Sequence, residues 1–129
     1  MITKSYAGIN IQYPISREIL AGNKTVETRT YPLPESYIGK TLLLIETPGK
    51  SRTFKSRVIA KFKISRCFLY TSKKAFYRDS KRHLVTPDSL WAWKDKPKWG
   101  WEIDYVKPLK KQIEVTGIGI KYTKSIIIK

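Results

Sequence analysis

The chain is poor in the residues that build disulfides and metal sites: of 129 residues one is cysteine, Cys67, and one is histidine, His83. A single cysteine excludes an internal disulfide and a cysteine cluster for zinc, and points to a reducing, cytoplasmic setting. A single histidine excludes a multi-histidine metal site and removes the usual general base, so catalysis would rest on lysine, carboxylate or hydroxyl groups. No metal and no cofactor is expected. Long apolar runs are also absent. None exceeds four residues, against about 20 for a membrane-spanning helix and roughly 7–15 for the apolar stretch of a signal peptide. Neither a membrane span nor a secretory signal is therefore expected. Acid is scarce as well: 10 Asp/Glu stand against 26 Lys/Arg, a net charge of +16.

What is present is core material. The chain is 41% hydrophobic and carries 4 Trp, 8 Tyr and 4 Phe, a composition that folds, over a length that suits one domain spanning residues 1–129. The positive charge is concentrated. Lys50 to Arg82 holds 12 Lys/Arg against the single acid Asp79. Such a segment suits a polyanion, RNA first and DNA as the alternative; the other readings are a solvated lysine-rich face and a docking surface for an acidic protein. Composition leaves the oligomeric state open.

Along the chain, Gly8 to Tyr13 alternates apolar and polar residues as a half-buried strand does. Pro14 suits the first turn of a short helix, with Ile15, Ile19 and Leu20 on one face and Gly22 as its left-handed terminator. Thr25 to Arg29 reads as a strand on which Thr25, Glu27 and Arg29 share one face. The apolar run Thr41 to Glu46 predicts a central strand covered on both sides. Phe54 to Ser65 predicts a long strand with Val58, Ala60, Phe62 and Ile64 inward and Arg57, Ile59, Lys61 and Lys63 mostly outward. A helix is expected within Ser72 to Leu84 with Ala75, Phe76 and Leu84 inward, and a second from the Thr86-Pro87-Asp88 cap through Trp93. Trp99 to Val106 and Ile126 to Ile128 predict further strands. Many strands with few short helices give an α+β chain built on a small, mostly antiparallel β-barrel with short flanking helices.

The segment Gly22-Asn23-Lys24-Thr25-Val26-Glu27-Thr28-Arg29 resembles the G-x-K-T-x-E-x-R signature of ASCH domains, members of the PUA-like barrel superfamily. Supporting likenesses follow in order: the strand Leu42 to Ile45, the strand Val58 to Phe62, Trp101-x-Ile103 leading to Lys107-Pro108-Leu109, and Gly117-Ile118-Gly119. They span roughly Gly8 to Tyr122. The resemblance implies a PUA-like fold, recognition of RNA or a modified nucleotide in a cleft beside the motif, and hydrolytic activity in some members. Two departures stand out. The basic, aromatic stretch Cys67 to Lys98 has no alignable counterpart and reads as an insertion at 67–98. In the small relatives that deacetylate N4-acetylcytidine the signature is G-x-K-x-x-T-x-R, with the threonine as nucleophile, and here Glu27 stands in its place.

The residues themselves describe a polar site. Lys24, Thr25, Glu27 and Arg29 bring two cations, a carboxylate and a hydroxyl within a few positions. Glu27 suits acceptance from a base amino group, as carboxylates accept from cytosine N4, while Lys24 and Arg29 suit phosphate or the carboxylate itself. The alternative is an exposed strand with an ordinary Glu27–Arg29 ion pair. Thr25 does not replace the missing nucleophile, because two residues along a strand displace it by about 6.5–7 Å. A catalytic version remains: Lys24 as base with Glu27, in a metal-independent ribonuclease or a modified-nucleoside amidohydrolase, provided burial lowers the lysine's pKa. Lys55, Arg57, Lys61 and Lys63 are the candidate phosphate contacts. Among the aromatics, Trp99 and Trp101 share a strand face and suit the core, Trp91 and Trp93 suit either core or base stacking, and Tyr13 is the preferred stacking residue beside the motif. His83, between Arg82 and Leu84, is expected to be solvated.

Overall fold

In the computed structural model, residues 6–49 and 53–114 are described. Strand β1 (Gly8–Gln12) places Ile9 and Ile11 in the core, as its alternation predicts. Helix α1 (Ile15–Leu20) follows and buries Ile19. Gly22 ends it at φ +83°, a conformation that costs a β-carbon-bearing residue steric strain. The amides of Asn23 and Lys24 then both bond back to the Glu18 carbonyl, at 2.9 and 3.0 Å. This tight turn delivers Lys24 inward, immediately before β2 (Val26–Arg29).

Strand β3 (Leu42–Thr47) is covered on both sides, as its unbroken apolar run predicts. Leu42 and Leu44 join the main core with Ile9, Ile19, Phe62, Ile64 and Trp101, while Leu43 and Ile45 join a smaller cluster with Val58 on the opposite face. Two long strands complete the sheet, β4 (Arg57–Tyr70) and β5 (Lys98–Glu114). Strand β5 outruns its predicted span of Trp99–Val106, whereas β4 starts three residues after the predicted Phe54 and runs five beyond Ser65. A bulge between Val58 and Ala60 breaks the predicted alternation, so that Val58 lies in the smaller cluster and Ile59, expected outward, joins the main core. The pairing of β4 with β5 runs from Tyr70 opposite Lys98 to Arg57 opposite Glu114 and is interrupted by bulges. One bulge is marked by Tyr105 at φ +45°.

The strand order is β1-β3-β4-β5-β2, with β1 parallel to β3 and the remaining pairings antiparallel. The sheet is mostly antiparallel, as expected, but among the described residues it does not close into the expected barrel. Strands β1 and β2 are its two edges. Paired strands lie about 4.7–4.9 Å apart, whereas here a whole side chain spans the gap: the Arg29 guanidinium of β2 donates to the Asn10 carbonyl of β1 at 2.7 Å.

Residues 72–84 form two short helices, α2 (Lys73–Arg78) and α3 (Ser80–His83), instead of one. Ser72 caps α2 by accepting from the Ala75 amide. Leu84 closes α3 in the left-handed conformation at φ +63° and is exposed, not inward as expected. The inward residue is His83, which stacks on Phe76 at 4.2 Å. No helix follows Thr86-Pro87-Asp88; residues 86–97 run as turns. Among the described residues no helix is long and apolar enough to cross a membrane. Lys50, Arg52, Gly117-Ile118-Gly119 and the strand predicted at Ile126–Ile128 lie outside the described residues.

Candidate functional site

The gap between the two sheet edges is a cavity of about 260 Å³. Asn10, Ile11 and Gln12 of β1 form one wall and Glu27, Thr28 and Arg29 of β2 the other, with Ile15, Lys24, Thr47, Val85 and Trp91 completing it. The failure of the barrel to close and the existence of the site are one fact.

Lys24 is only 4% exposed. Its Nζ donates to the His83 carbonyl at 2.5 Å and lies 3.6 Å from Glu27 Oε1. The other Glu27 oxygen, Oε2, accepts from Arg29, with Nε at 3.0 Å and the terminal nitrogen at 2.9 Å. Arg29 also donates to the Tyr31 hydroxyl at 3.2 Å, and its guanidinium lies over the buried Trp101 ring at 5.4 Å. The result is a cation–carboxylate–cation row. Burial pushes the Lys24 pKa down and Arg29 lowers it further, with Glu27 only partly restoring it. Burial also works against the Arg29 cation, yet Glu27 and Tyr31 outweigh it and leave that pKa raised.

Thr25 does not belong to this row. It precedes β2, is exposed, and its amide and carbonyl are spent on Arg82 and Ile103. The predicted single-faced alternation fails there because the chain is still turning out of α1. Thr28, assigned by alternation to the opposite face, is on the cavity wall instead.

His83 corrects a second expectation, since it is fully buried. Nδ1 accepts from the Val85 amide at 2.9 Å, so Nε2 carries the proton and donates to the Phe76 carbonyl at 2.7 Å. Burial pushes its pKa down. The neutral ring holds Val85, a cavity residue, while the backbone carbonyl of the same residue holds Lys24.

Tyr13, Lys55, Arg57, Lys61 and Lys63 do not line the cavity. Tyr13 meets Phe54 edge-on at 6.0 Å. Lys55 is exposed. Arg57 is committed to the buried Glu46 carboxylate at 2.8 Å, alongside Arg17 and Ser16, so the one carboxylate offsets one of the two positive charges gathered on it. Lys61 and Lys63 alternate with the buried Phe62 and Ile64, and their ammonium groups lie over Tyr6 and Tyr105 at 5.3 and 5.4 Å. Lys107 stands directly opposite Lys61. This outward face is basic but separate from the cavity.

Sequence reasoning missed Asn10 and Val85 as site residues. Asn10 sits at a polar position of an alternating strand, which was a usable signal. Its Oδ1 is buried with no hydrogen-bond partner among the described residues. Val85 and Trp91 come from the 67–98 stretch, so that stretch builds the site. Lys98 donates to the Trp91 carbonyl. Burial lowers its pKa, and the charges of Lys94 and Lys24 add to that. Among the described residues no group of three His, Cys, Asp or Glu is placed to hold a metal.

No family model and no curated protein matches the sequence. The fold does match solved structures. An ASCH protein from Zymomonas mobilis superposes with a TM-score of 0.66 at 18% identity, covering 86% of this chain and 74% of that one. Two point variants of the same protein match with TM-scores of 0.65 and 0.66, also at 18% identity, over 85% and 87% of this chain and 74% and 77% of theirs. The chain has the ASCH fold, an α+β arrangement of one mixed five-stranded sheet with a few short helices.

Proposed function

We propose that this ASCH-fold chain binds single-stranded or modified RNA, taking one base into the cavity between β1 and β2. The observation that carries the reading is the composition of that cavity. A Lys24–Glu27–Arg29 row faces a strand whose Asn10 Oδ1 is buried without a partner among the described residues. A buried acceptor left unmatched costs about 1–3 kcal/mol, and a rotation of the Asn10 side chain that turned Oδ1 to a ligand N–H would recover it. Glu27 adds a second acceptor, because a carboxylate has about four lone-pair sites and Lys24 and Arg29 do not fill them. Two acceptors in a small cavity suit a base edge rich in donors, such as one with an exocyclic amino group. The outward Lys55, Lys61 and Lys63 provide sequence-independent phosphate contacts.

The test is affinity for single-stranded RNA across a salt series, where each phosphate contact contributes about −0.7 to the log–log slope. Replacing Lys55, Lys61 and Lys63 together flattens the slope and leaves base preference intact, whereas Glu27→Gln alters base preference at unchanged slope. Arg57 is left in place because Glu46 depends on it. Identical behaviour of the two variants contradicts the division of labour, and a flat salt dependence in the parent contradicts the polyanion reading.

One observation favours a second, catalytic reading: burial lowers the Lys24 pKa, which is what a lysine base requires. Metal-independent RNA cleavage with chelator present, lost in Lys24→Met, would support it. N4-acetylcytidine turnover is not expected with Glu27 at the threonine position.

A further inference from the structure

We propose that a second chamber next to the first takes the base adjacent to the one read by Glu27, so that the site recognises two successive unpaired nucleotides. The inference rests on the RNA reading above and extends it. The second cavity, about 390 Å³, shares Ile15, Lys24, Val85 and Trp91 with the first. The two are therefore one cleft with a waist. The first chamber alone falls below the roughly 300–1,000 Å³ usual for small-ligand sites, whereas the second alone and the pair together fall within it.

Their chemistry differs. Pro14, Leu84, Val85 and Trp91 give the second chamber apolar walls. Its acid is Glu18, which repels a phosphate and leaves the aromatic face of a base as the part of a nucleotide that fits. Lys24, the cation common to both chambers, stands at the waist, where the sugar–phosphate link between two bases would pass.

Trp91 provides the stacking surface. It is 41% exposed, so its ring is not used up in the core, yet its backbone is pinned. The Trp91 amide donates to Ser89 Oγ at 3.0 Å, its carbonyl accepts from Lys98, and the Trp93 amide two residues on donates to the Tyr77 hydroxyl at 3.1 Å. A platform held in advance loses little entropy on binding.

The experiment is calorimetric titration with a ribotrinucleotide and with the same trinucleotide lacking the base on one flank or the other. All three carry the same phosphates, so their salt-dependent contribution is matched. One abasic form should bind roughly 5- to 150-fold more weakly, the span that alanine substitution of a stacking aromatic produces. Trp91→Ala should weaken the intact trinucleotide to the level of that abasic form and leave the abasic form unchanged, whereas Trp91→Phe should keep most of the difference. Equal affinity for all three compounds overturns the second chamber while leaving the first intact. An undiminished difference in Trp91→Ala overturns the assignment of the stack. Absence of binding by every compound at low salt removes the RNA reading itself, and this inference with it.

Discussion

Replacing Lys24 with methionine separates a site residue from a scaffold residue. The substitution keeps an unbranched apolar stem out to the ε position while removing the ammonium. It loses an attraction to Glu27 at 3.6 Å, about 4–5 kcal/mol at an effective dielectric of 20, and a charged hydrogen bond to the His83 carbonyl worth about 1.5–3 kcal/mol. Against these stands the cost of burying the ammonium, several kcal/mol. The balance is set by the direction of the Lys24 pKa, which is down with burial as the largest cause: the surroundings disfavour the charge on net. Glu27 also keeps Arg29 at 2.9 Å, so no carboxylate is stranded. Urea unfolding at neutral pH should therefore place Lys24→Met within about 1–2 kcal/mol of the parent, not at the 3–5 kcal/mol loss of a broken buried pair. RNA affinity of the same sample should fall. A loss above about 3 kcal/mol would refute the reasoning and make Lys24 a structural residue.

Two other perturbations have defined outcomes. His83 has a folded-state pKa below its ordinary 6.5, so between those two values the unfolded chain binds more protons. Its contribution is fully present above pH 6.5 and is lost as the pH falls through the folded value; urea midpoints from pH 7.5 to 5.5 that do not decline would contradict the neutral-tautomer assignment. Gly100→Ala would place a β-carbon 2.4 Å from Phe68 Cζ, on a ring flanked by Arg66 and Arg82 and edge-on to Tyr70. A loss of about 1–3 kcal/mol is expected, partly recovered when Phe68→Leu is added, and a double-mutant cycle with no coupling would show that the contact is not the cause.

The elements that the sequence predicts well are those whose cause is local. The alternation of Gly8 to Gln12, the glycine that ends α1, and the Leu42 to Ile45 run each state their burial within a few residues. Thr25 misleads because a period-two reading assumes that the strand has begun, and the backbone is still leaving a left-handed turn. The second half of β5 was invisible because its mostly exposed residues carry no apolar alternation; pairing with β4 defines it. Barrel closure was equally out of reach, since nothing in either edge strand announces that Arg29 will lie between them. Lys24, Glu27 and Arg29 were legible as a charged row next to a glycine turn. Asn10 and Val85 were not, and Trp91 was legible only as a residue for either core or stacking, because only the fold brings residues from three parts of the chain to one cavity. His83 was misread for the same reason: its partners Phe76, Tyr70 and Val85 form a small core of their own at the end of β4.

The central claim is that a nucleotide base enters the gap between β1 and β2. A crystal structure of the chain with a bound ribotrinucleotide tests it most directly. The account predicts a base between Asn10 and Glu27, with an amino group within hydrogen-bonding distance of the Glu27 carboxylate and its neighbour against Trp91. An oligonucleotide ordered only along Lys61, Lys63 and Lys107, with no base between the two edge strands, would contradict it.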